Sequence, residues 1–301
     1  MTQQHSYTLN NGITMPALGL GVYQSSPEDT LTAVGSALAT GYRLIDTAAI
    51  YGNERAVGQA LAQAQSESAI TRSDIFLTTK LWIHDFGRDA ALRAFDASLQ
   101  RLGLDYVDLY LLHWPVPADF AQTIAAYKAA QTLLSEGRVR AIGVSNFTSP
   151  HLAQLLQQVE VTPAVNQVEL HPFFAQPALQ ATHQKLGIIT QAWSPIGGIN
   201  RYWSRNLGRT QDPLTHPVIT ALAQKYRKSA AQIIVRWHLE QGISAIPKSV
   251  NPGRIQENFE VFDFQLSPAE VQAICALNSD TRGGPDPDEV SPQLFKFQVQ
   301  D

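Results

Sequence analysis

The sequence predicts an α/β fold, a single (β/α)8 TIM barrel preceded by an N-terminal β-hairpin. Eight short apolar segments of strand length alternate with segments of helical periodicity between residues 17 and 246, and no linker interrupts them. The 301 residues are ordinary for one such barrel, which commonly takes about 250 or more. The competing fold, a doubly wound sheet, normally carries a phosphate-binding turn with three glycines, and Gly19-Leu20-Gly21 lacks the third.

The elements follow in chain order. A hairpin is predicted over residues 7–15, because Asn11-Gly12 suits a tight turn that needs positive φ. The predicted strands lie near residues 17–20, 42–46, 75–80, 107–112, 140–144, 164–168, 187–192 and 243–246. The predicted helices lie near residues 27–39, 53–64, 88–102, 119–135, 149–157, 177–185 and 229–240. Ser26 and Ser229 are predicted N-caps. We expect residues 1–301 to form one domain, with an irregular insertion at 197–217 and a tail at 280–301.

The bulk composition argues against several classes of function. The formal net charge of −4 gives no reason to expect nucleic acid or an anionic membrane as a partner. No apolar stretch approaches the roughly 20 residues that span a bilayer, and the first residues lack the pattern of a signal peptide. Cys275 is the only cysteine, which favours a cytoplasmic location. No HExxH or CxxC spacing is present, so we predict no metal site.

Polar groups at the ends of neighbouring predicted strands indicate a reacting site. Asp46, Lys80 and His113 end the second, third and fourth strands, and Tyr51 follows five residues after Asp46. Strand C-terminal ends meet at one face of a barrel, where active sites lie. Each group has a structural explanation when taken singly: an ion pair, a hydrogen-bonded histidine, a half-buried loop aromatic. Their joint placement instead predicts a pocket for carbonyl reduction.

These four residue types suit proton delivery to a carbonyl oxygen. A free tyrosine is a weak acid, and we expect the ammonium of Lys80 to lower the pKa of Tyr51. Asp46 would hold Lys80 in place, and His113 would donate a hydrogen bond to the substrate oxygen. Tyr51 is then predicted to act as the general acid while hydride reaches the carbonyl carbon.

Several longer segments carry a resemblance to a known family. They are Leu44–Glu54 (LIDTAAIYGNE), Thr79–Trp82 (TKLW), Asp105–Pro115 (DYVDLYLLHWP), Ile142–Phe147 (IGVSNF), Asn166–Pro172 (NQVELHP), Ile246–Ser249 (IPKS) and Arg254–Asn258 (RIQEN). In these segments the chain resembles the aldo-keto reductases, and within them the short bacterial members of 2,5-diketo-D-gluconate reductase type. The resemblance implies a (β/α)8 barrel, a monomer, and NADPH-dependent reduction of aldehydes or ketones to alcohols. It also implies that Asp46, Tyr51, Lys80 and His113 form the catalytic tetrad.

The resemblance further implies an NADPH/NADP+ site. The matched positions are Gly21, Val22, Asp46, Ser145, Asn146, Gln167, Trp193, Ser194, Lys248, Ser249, Arg254, Glu257 and Asn258. Hydroxyl and amide groups such as those of Ser145 and Gln167 suit the nicotinamide carboxamide, although strand-end capping would explain them equally. Trp193 matches an aromatic that stacks on nicotinamide; without the resemblance it is a core aromatic. Lys248 and Arg254 suit a 2′-phosphate, and a solvated basic turn is the alternative.

Aromatic residues beside the tetrad predict the substrate pocket. Tyr23, Trp82, Trp114 and Phe147 would form an apolar wall that excludes water around a small-molecule carbonyl substrate. The segment Asn200–Arg205 is expected to arch over the cofactor or the pocket: Trp203 could reach either, and Arg201 and Arg205 could meet the cofactor pyrophosphate or an acidic substrate. The residues His84–Phe86 form another candidate substrate loop, and the tail from Phe295 could cover the pocket, pack elsewhere or be disordered. Two other functions remain open: a non-catalytic nucleotide-sensing barrel, which has no need of a proton donor, and a metal-dependent barrel hydrolase, which would need a ligand cluster.

Overall fold

The computed structural model describes residues 5–198 and 212–300. An antiparallel hairpin comes first, formed by β1 (Ser6–Thr8) and β2 (Thr14–Pro16). Gly12 in its turn has a φ of 84°, a conformation that glycine adopts without strain. The predicted N-terminal hairpin is therefore confirmed, but of the two predicted turn residues, Asn11 and Gly12, only Gly12 has a positive φ.

Eight parallel strands follow. They are β3 (Leu20–Gly21), β4 (Leu44–Asp46), β5 (Phe76–Leu81), β6 (Val107–Leu112), β7 (Val139–Ser145), β8 (Val165–Glu169), β9 (Ile189–Trp193) and β10 (Ser244–Ala245). Each pairs with its neighbour in chain order. A parallel bridge between Leu18 and Ala245, and a second between Gly21 and Lys248, join the first strand to the last. The sheet closes on itself, so the predicted (β/α)8 TIM barrel is confirmed.

Ten α-helices occur in the described ranges. They are α1 (Pro27–Thr40), α2 (Glu54–Glu67), α3 (Arg88–Leu102), α4 (Phe120–Ser135), α5 (Ser149–Leu156), α6 (Pro177–Leu186), α7 (Pro217–Tyr226), α8 (Ala230–Glu240), α9 (Pro252–Phe259) and α10 (Pro268–Cys275). Both predicted N-caps are present: Ser26 accepts from the amide of Asp29 at 3.1 Å, and Ser229 from the amide of Gln232 at 3.3 Å.

Three of these helices, α7, α9 and α10, were not predicted from the sequence. Each begins with a proline and runs for only eight to ten residues, so its hydrophobic periodicity spans about two or three turns. The predicted first strand at 17–20 was also placed early, since β3 begins at Leu20 and Leu18 contributes only an isolated bridge.

The hairpin packs against the starts of the barrel strands and leaves the opposite face for the site. Leu9 and Met15 of the hairpin lie in one buried cluster with Leu44, Phe76 and Val165, each at or beside the N-terminal end of its strand. Covering these ends with apolar side chains stabilises the barrel by removing them from water. The C-terminal ends of the strands, with their polar residues, therefore form the other mouth of the barrel.

Two buried histidines couple the stability of the barrel to pH. Burial lowers the pKa of His183 in α6 and of His238 in α8 from 6.5 to about 4. Below pH 6.5 the unfolded chain therefore binds protons that the folded chain does not. The free energy of unfolding therefore decreases as the pH falls from about 6.5 to about 4, and each histidine contributes roughly 1.4 kcal/mol per pH unit to this decrease.

Urea unfolding at pH 7 and at pH 4.5 measures this effect. We expect a lower free energy of unfolding at pH 4.5, and a smaller drop in the variants His183→Gln and His238→Gln. The exposed His5 offers a control, since His5→Gln should leave the drop unchanged. If the free energy of unfolding falls by the same amount in the wild type and in all three variants, His183 and His238 are not the cause of the pH dependence.

Candidate active site

A buried ion pair lies at the C-terminal mouth of the barrel. Nζ of Lys80, in β5, is 2.6 Å from Oδ1 of Asp46, the last residue of β4, and both side chains are almost wholly excluded from solvent. The other carboxylate oxygen of Asp46 accepts from Nε2 of Gln167, in β8, at 2.6 Å. Burial lowers the pKa of Lys80 and raises the pKa of Asp46, and their mutual attraction opposes both shifts.

The hydroxyl of Tyr51 is the third hydrogen-bond acceptor of the Lys80 ammonium. Nζ of Lys80 contacts the Tyr51 hydroxyl at 3.5 Å and the carbonyl oxygen of Thr47 at 3.0 Å, in addition to Asp46. The three protons of the ammonium are thereby directed at three acceptors. The hydroxyl of Tyr51 accepts from Lys80 and keeps its own proton available for another acceptor.

The pKa of Tyr51 shifts in the direction opposite to the one predicted from the sequence. Burial, the charge of Asp46 and the neighbouring Tyr23 together raise the pKa of Tyr51 well above 10. Lys80 does not reverse the shift, because its charge is already balanced by Asp46. The prediction that Lys80 lowers this pKa is therefore wrong for the structure described. The phenol stays protonated at neutral pH, which is the state that a proton donor needs.

The turn that carries Tyr51 is fixed by a buried asparagine that the sequence reasoning missed. Tyr51 ends a 3-10 helix, Ala49–Tyr51. Two residues later, Oδ1 of Asn53 accepts from the hydroxyl of Thr47 at 2.7 Å, and its Nδ2 donates to the carbonyl of Val22 at 2.9 Å. The sequence did offer a signal for this role, because Asn53 is a polar residue only two positions after the predicted acid Tyr51.

His113 lies beside this cluster as a neutral imidazole. Its ring centroid is 5.6 Å from that of Tyr51 and 5.3 Å from that of Trp82. Burial, and then the charge of Lys80, hold the pKa of His113 well below 6.5. Its Nδ1 has no hydrogen-bond partner among the described residues. The structure thus brings together all four residues of the predicted tetrad.

The predicted carboxamide partners lie next to the tetrad: Ser145 ends β7, Asn146 follows it, and Gln167 lies in the middle of β8. The side-chain amide of Asn146 donates to the carbonyl of His113 at 3.0 Å and to the hydroxyl of Ser145 at 3.1 Å. Gln167 donates to Asp46 and to Gln191. These bonds serve the strand-end capping role that the sequence left open, and they also hold the amides in fixed positions.

Trp193 is the half-buried last residue of β9, and Ser194 follows it with a φ of 50°. The indole N–H of Trp193 donates to Oδ1 of Asn146 at 2.8 Å. The ring is thereby tied to the group of amides, where a planar ligand can stack on it.

A basic helix start lies beside the first strand. Lys248 and Ser249 precede α9, whose N-cap Asn251 accepts from the amide of Arg254 at 3.0 Å. The amide of Gly21 donates to the carbonyl of Pro247 at 3.2 Å and brings the backbone of Gly21 and Val22 alongside. Two cations at a helix N-terminus favour an anion. Glu257 and Asn258 lie further along α9, half-buried and buried respectively.

The predicted aromatic wall is only partly assembled as expected. Trp82 and Trp114 belong to one buried cluster, and Tyr23 contacts the ring of Tyr51 at a centroid distance of 4.9 Å. Phe147 instead lies in the main core, fully buried against Phe120 and His151. As the second residue after β7 it follows the left-handed Asn146, whose φ of 65° redirects the chain.

The C-terminal tail covers the two tryptophans. The ring of Phe295 lies 6.0 Å from Trp82 and 6.1 Å from Trp114, between centroids. The indole N–H of Trp82 donates to the carbonyl of Phe297 at 2.8 Å, and Nε2 of His84 contacts the carbonyl of Phe295 at 2.6 Å. The tail therefore forms part of this wall, which is one of the placements that the sequence left open. The other candidate cover, with Arg201, Trp203 and Arg205, lies outside the described residues.

A cavity of about 410 Å³ opens on the outer side of the same wall. It is lined by Ile83, His84, Phe86, Val116, Ala118, Asp119, Gln122, Pro292 and Gln293. These residues come from the loops after β5 and β6, from the first turn of α4 and from the tail. The volume is in the range of small-molecule sites.

Comparisons with known proteins agree with this geometry. The sequence model of the aldo/keto reductase family matches residues 15–279. The chain is 54% identical to a morphine 6-dehydrogenase of Pseudomonas putida over 288 residues, which cover 95% of this chain and 96% of that protein. It is 46% identical to the methylglyoxal reductase DkgA of Escherichia coli over 283 residues, 93% of this chain and 96% of that protein.

Solved structures give the same result for the fold. An aldo-keto reductase from Bombyx mori, crystallised in complex with NADP, superimposes with a TM-score of 0.87 at 38% sequence identity. The match covers 96% of this chain and 97% of that one. The two chains therefore share the same fold.

Proposed function

Because this chain belongs to the aldo/keto reductase family, we propose that it reduces aldehydes or ketones to alcohols with NADPH, using Tyr51 as the proton donor. One observation carries the assignment of the acid: a protonated phenol contacts the ammonium of Lys80 at 3.5 Å, beside the neutral ring of His113.

The chain's own residues would act on the carbonyl oxygen. In this proposal that oxygen lies between the hydroxyl of Tyr51 and the imidazole of His113. His113, being neutral, donates one hydrogen bond to the oxygen where negative charge develops. Tyr51 passes its proton to the same oxygen, since an alkoxide is far more basic than a phenolate. Lys80 stabilises the phenolate that remains, and Asp46 fixes Lys80.

The residues at the mouth fit an NADPH molecule. Trp193 would hold the nicotinamide ring, and Ser145, Asn146 and Gln167 its carboxamide, since hydroxyl and amide groups match its donors and acceptors. Bound NADPH supplies the hydride that the carbonyl carbon receives. The backbone of Gly21 and Val22 would lie along the riboside.

At the far end, Lys248, Ser249 and Arg254 would bind the 2′-phosphate. Glu257 and Asn258 would lie near adenine, and Ser194 near the middle of the molecule.

The basic helix start predicts a preference for NADPH over NADH. We expect Lys248→Ala and Arg254→Ala each to raise the KM for NADPH by about tenfold, because each loses a charge-assisted hydrogen bond to phosphate. The KM for NADH, which has no 2′-phosphate, should stay the same. Steady-state kinetics with both cofactors measure this, with Lys185→Ala, an exposed lysine of α6, as control. An unchanged KM for NADPH in both variants would overturn the phosphate assignment.

The substrate is proposed here only as a small-molecule carbonyl compound. Relatives named for morphine and for methylglyoxal differ in substrate, so family membership does not select one. We also propose one domain over residues 1–301 and a monomeric, cytoplasmic protein. The single cysteine, Cys275, is in keeping with a reducing compartment. No helix in the described ranges has the length and apolar character needed to cross a bilayer.

Turnover of NADPH with a panel of aldehydes and ketones tests the proposal. We expect NADPH to be oxidised with at least one of them and the matching alcohol to form. Tight binding of NADPH without oxidation by any carbonyl would contradict the proposal and favour the alternative, a non-catalytic nucleotide-sensing barrel.

The other function left open, a metal-dependent hydrolase, would need a cluster of metal ligands. The described residues hold no cluster of three or more His, Cys, Asp or Glu side chains suited to a metal ion.

A further inference from the structure

A buried glutamate joins the barrel to the C-terminal tail. Glu169 is the last residue of β8 and is 1% exposed. Its Oε1 accepts from the amide of Gly283 at 2.7 Å and from Nε2 of His171 at 3.1 Å, and its Oε2 accepts from the amide of Gly284 at 2.9 Å. Two of its three donors are consecutive backbone amides more than 110 residues away in sequence. Such charge-assisted bonds are about twice as strong as neutral ones.

The tail enters the site at this point, between Glu169 and Trp193. A Cβ added to Gly284 would lie 2.7 Å from Cη2 of Trp193 and 3.0 Å from Oε2 of Glu169, so a side chain there would displace one of them. The tail thus packs on the ring that we place against nicotinamide. A second link, from His151 to Asp288 at 3.1 Å, joins a carboxylate that is 69% exposed, and a contact of that kind contributes little.

Beyond this anchor the tail builds the outer part of the substrate wall. Val290 and Phe295 are buried in the cluster with Trp82 and Trp114. Pro292 borders the 410 Å³ cavity. Up to residue 300 the tail contains no helix or strand, and a backbone bond from the amide of Thr281 to the carbonyl of Phe173, at 3.2 Å, joins its start to the barrel. Its path beyond that point depends on side-chain packing, on the two amides bound by Glu169, and on the contacts of Trp82 and His84 with the carbonyls of Phe297 and Phe295.

We propose that Glu169 is a positioning residue that fixes the C-terminal tail over the substrate pocket and so sets how tightly the carbonyl substrate is held. The proposal rests on the reductase function inferred above. It assigns no chemical step to Glu169. Its effect reaches the substrate through Phe295 and the adjoining tail, whereas the tetrad and the 2′-phosphate site remain as they are.

The variant Glu169→Gln tests the anchor with almost no change of shape. Either orientation of the glutamine amide points an N–H group at a backbone N–H, of Gly283 or of Gly284, so at least one bond to the tail is lost. We expect the KM for the carbonyl substrate to rise by about tenfold. The Kd for NADPH and the single-turnover rate at saturating substrate should change less than about twofold, which separates positioning from general damage.

Trypsin cleavage after Lys296 gives a readout that does not depend on activity. Lys296 lies between Phe295 and Phe297, so access to it reports on how firmly the tail is seated. We expect Glu169→Gln to speed this cleavage and Glu289→Gln, an exposed glutamate of the same tail, to leave it unchanged. Equal cleavage rates in wild type and Glu169→Gln would overturn the proposal even if the wild type proves to be an NADPH-dependent reductase.

A second route covers the case in which Glu169→Gln does not fold. Gly284→Ala keeps the carboxylate and disturbs the same contact, so it should reproduce both the raised KM and the faster cleavage. Phe295→Ala should raise the KM by itself. Combining Phe295→Ala with Glu169→Gln or with Gly284→Ala should raise the KM little further, because both changes act through the C-terminal tail. Full additivity of the two effects on KM would contradict the proposal.

Discussion

Replacement of Tyr51 by phenylalanine is expected to lower kcat for carbonyl reduction by about 10²–10⁴-fold, the usual contribution of a positioned acid. The variant loses only the hydroxyl that accepts from Lys80 and that we place on the substrate oxygen. The aromatic contact with Tyr23 and the ring beside His113 remain, so the binding of NADPH should be nearly unchanged. Steady-state kinetics and a fluorescence titration with NADPH measure the two quantities.

Tyr127→Phe is the matched control for this variant. Tyr127 lies fully buried in α4, and its hydroxyl has no hydrogen-bond partner among the described residues. Removing that hydroxyl should leave kcat within about twofold, since the side chain touches neither substrate nor cofactor in the proposed arrangement. If kcat falls equally in both variants, the loss reflects packing and not proton donation.

Replacement of Lys80 by methionine is expected to damage both stability and activity. The change leaves the carboxylate of Asp46 buried without its partner, and breaking a buried ion pair in this way costs about 3–5 kcal/mol. Activity should fall with it, because the phenolate of Tyr51 loses the ammonium that balances its charge. Urea unfolding and NADPH oxidation follow the two effects separately.

Two further variants distinguish these effects. Lys225→Met removes an ion pair with Glu270 whose lysine is 60% exposed, and pairs of that kind contribute little to stability. The double variant Asp46→Asn, Lys80→Met removes the stranded charge, so it should regain much of the stability while its activity stays low. Recovery of activity along with stability would show that the pair serves only the fold.

The tetrad could be predicted because short segments of sequence indicate each of its residues and the barrel fold brings those segments together. Each of Asp46, Lys80 and His113 ends an apolar run of strand length, and a closed parallel sheet brings such ends to one mouth. The segment Ser267-Pro-Ala-Glu270 held a similar local signal for α10. It forms the capping box that starts that helix, and the motif was readable although the helix itself was missed.

Other features of the site could not be predicted, because they depend on the three-dimensional surroundings of a residue and not on its neighbours in sequence. The raised pKa of Tyr51 comes from burial, the charge of Asp46 and the neighbouring Tyr23, and only the assembled site determines these. Phe147 follows a residue in the left-handed conformation, and alternation along the strand does not predict its direction. Glu169 meets its two glycine amides across more than 110 residues of sequence, so nothing near it indicated an anchor.

The most direct test of the central claim is the rate of a single turnover at neutral pH, with enzyme and NADPH premixed and carbonyl substrate in excess. This measurement isolates the reduction from the release of products, which often limits kcat. If the protonated hydroxyl of Tyr51 delivers the proton, the rate should fall by about 10²–10⁴-fold in Tyr51→Phe and hold in Tyr127→Phe. A single-turnover rate in Tyr51→Phe equal to that of the wild type would contradict the account, because the proton would then come from another group.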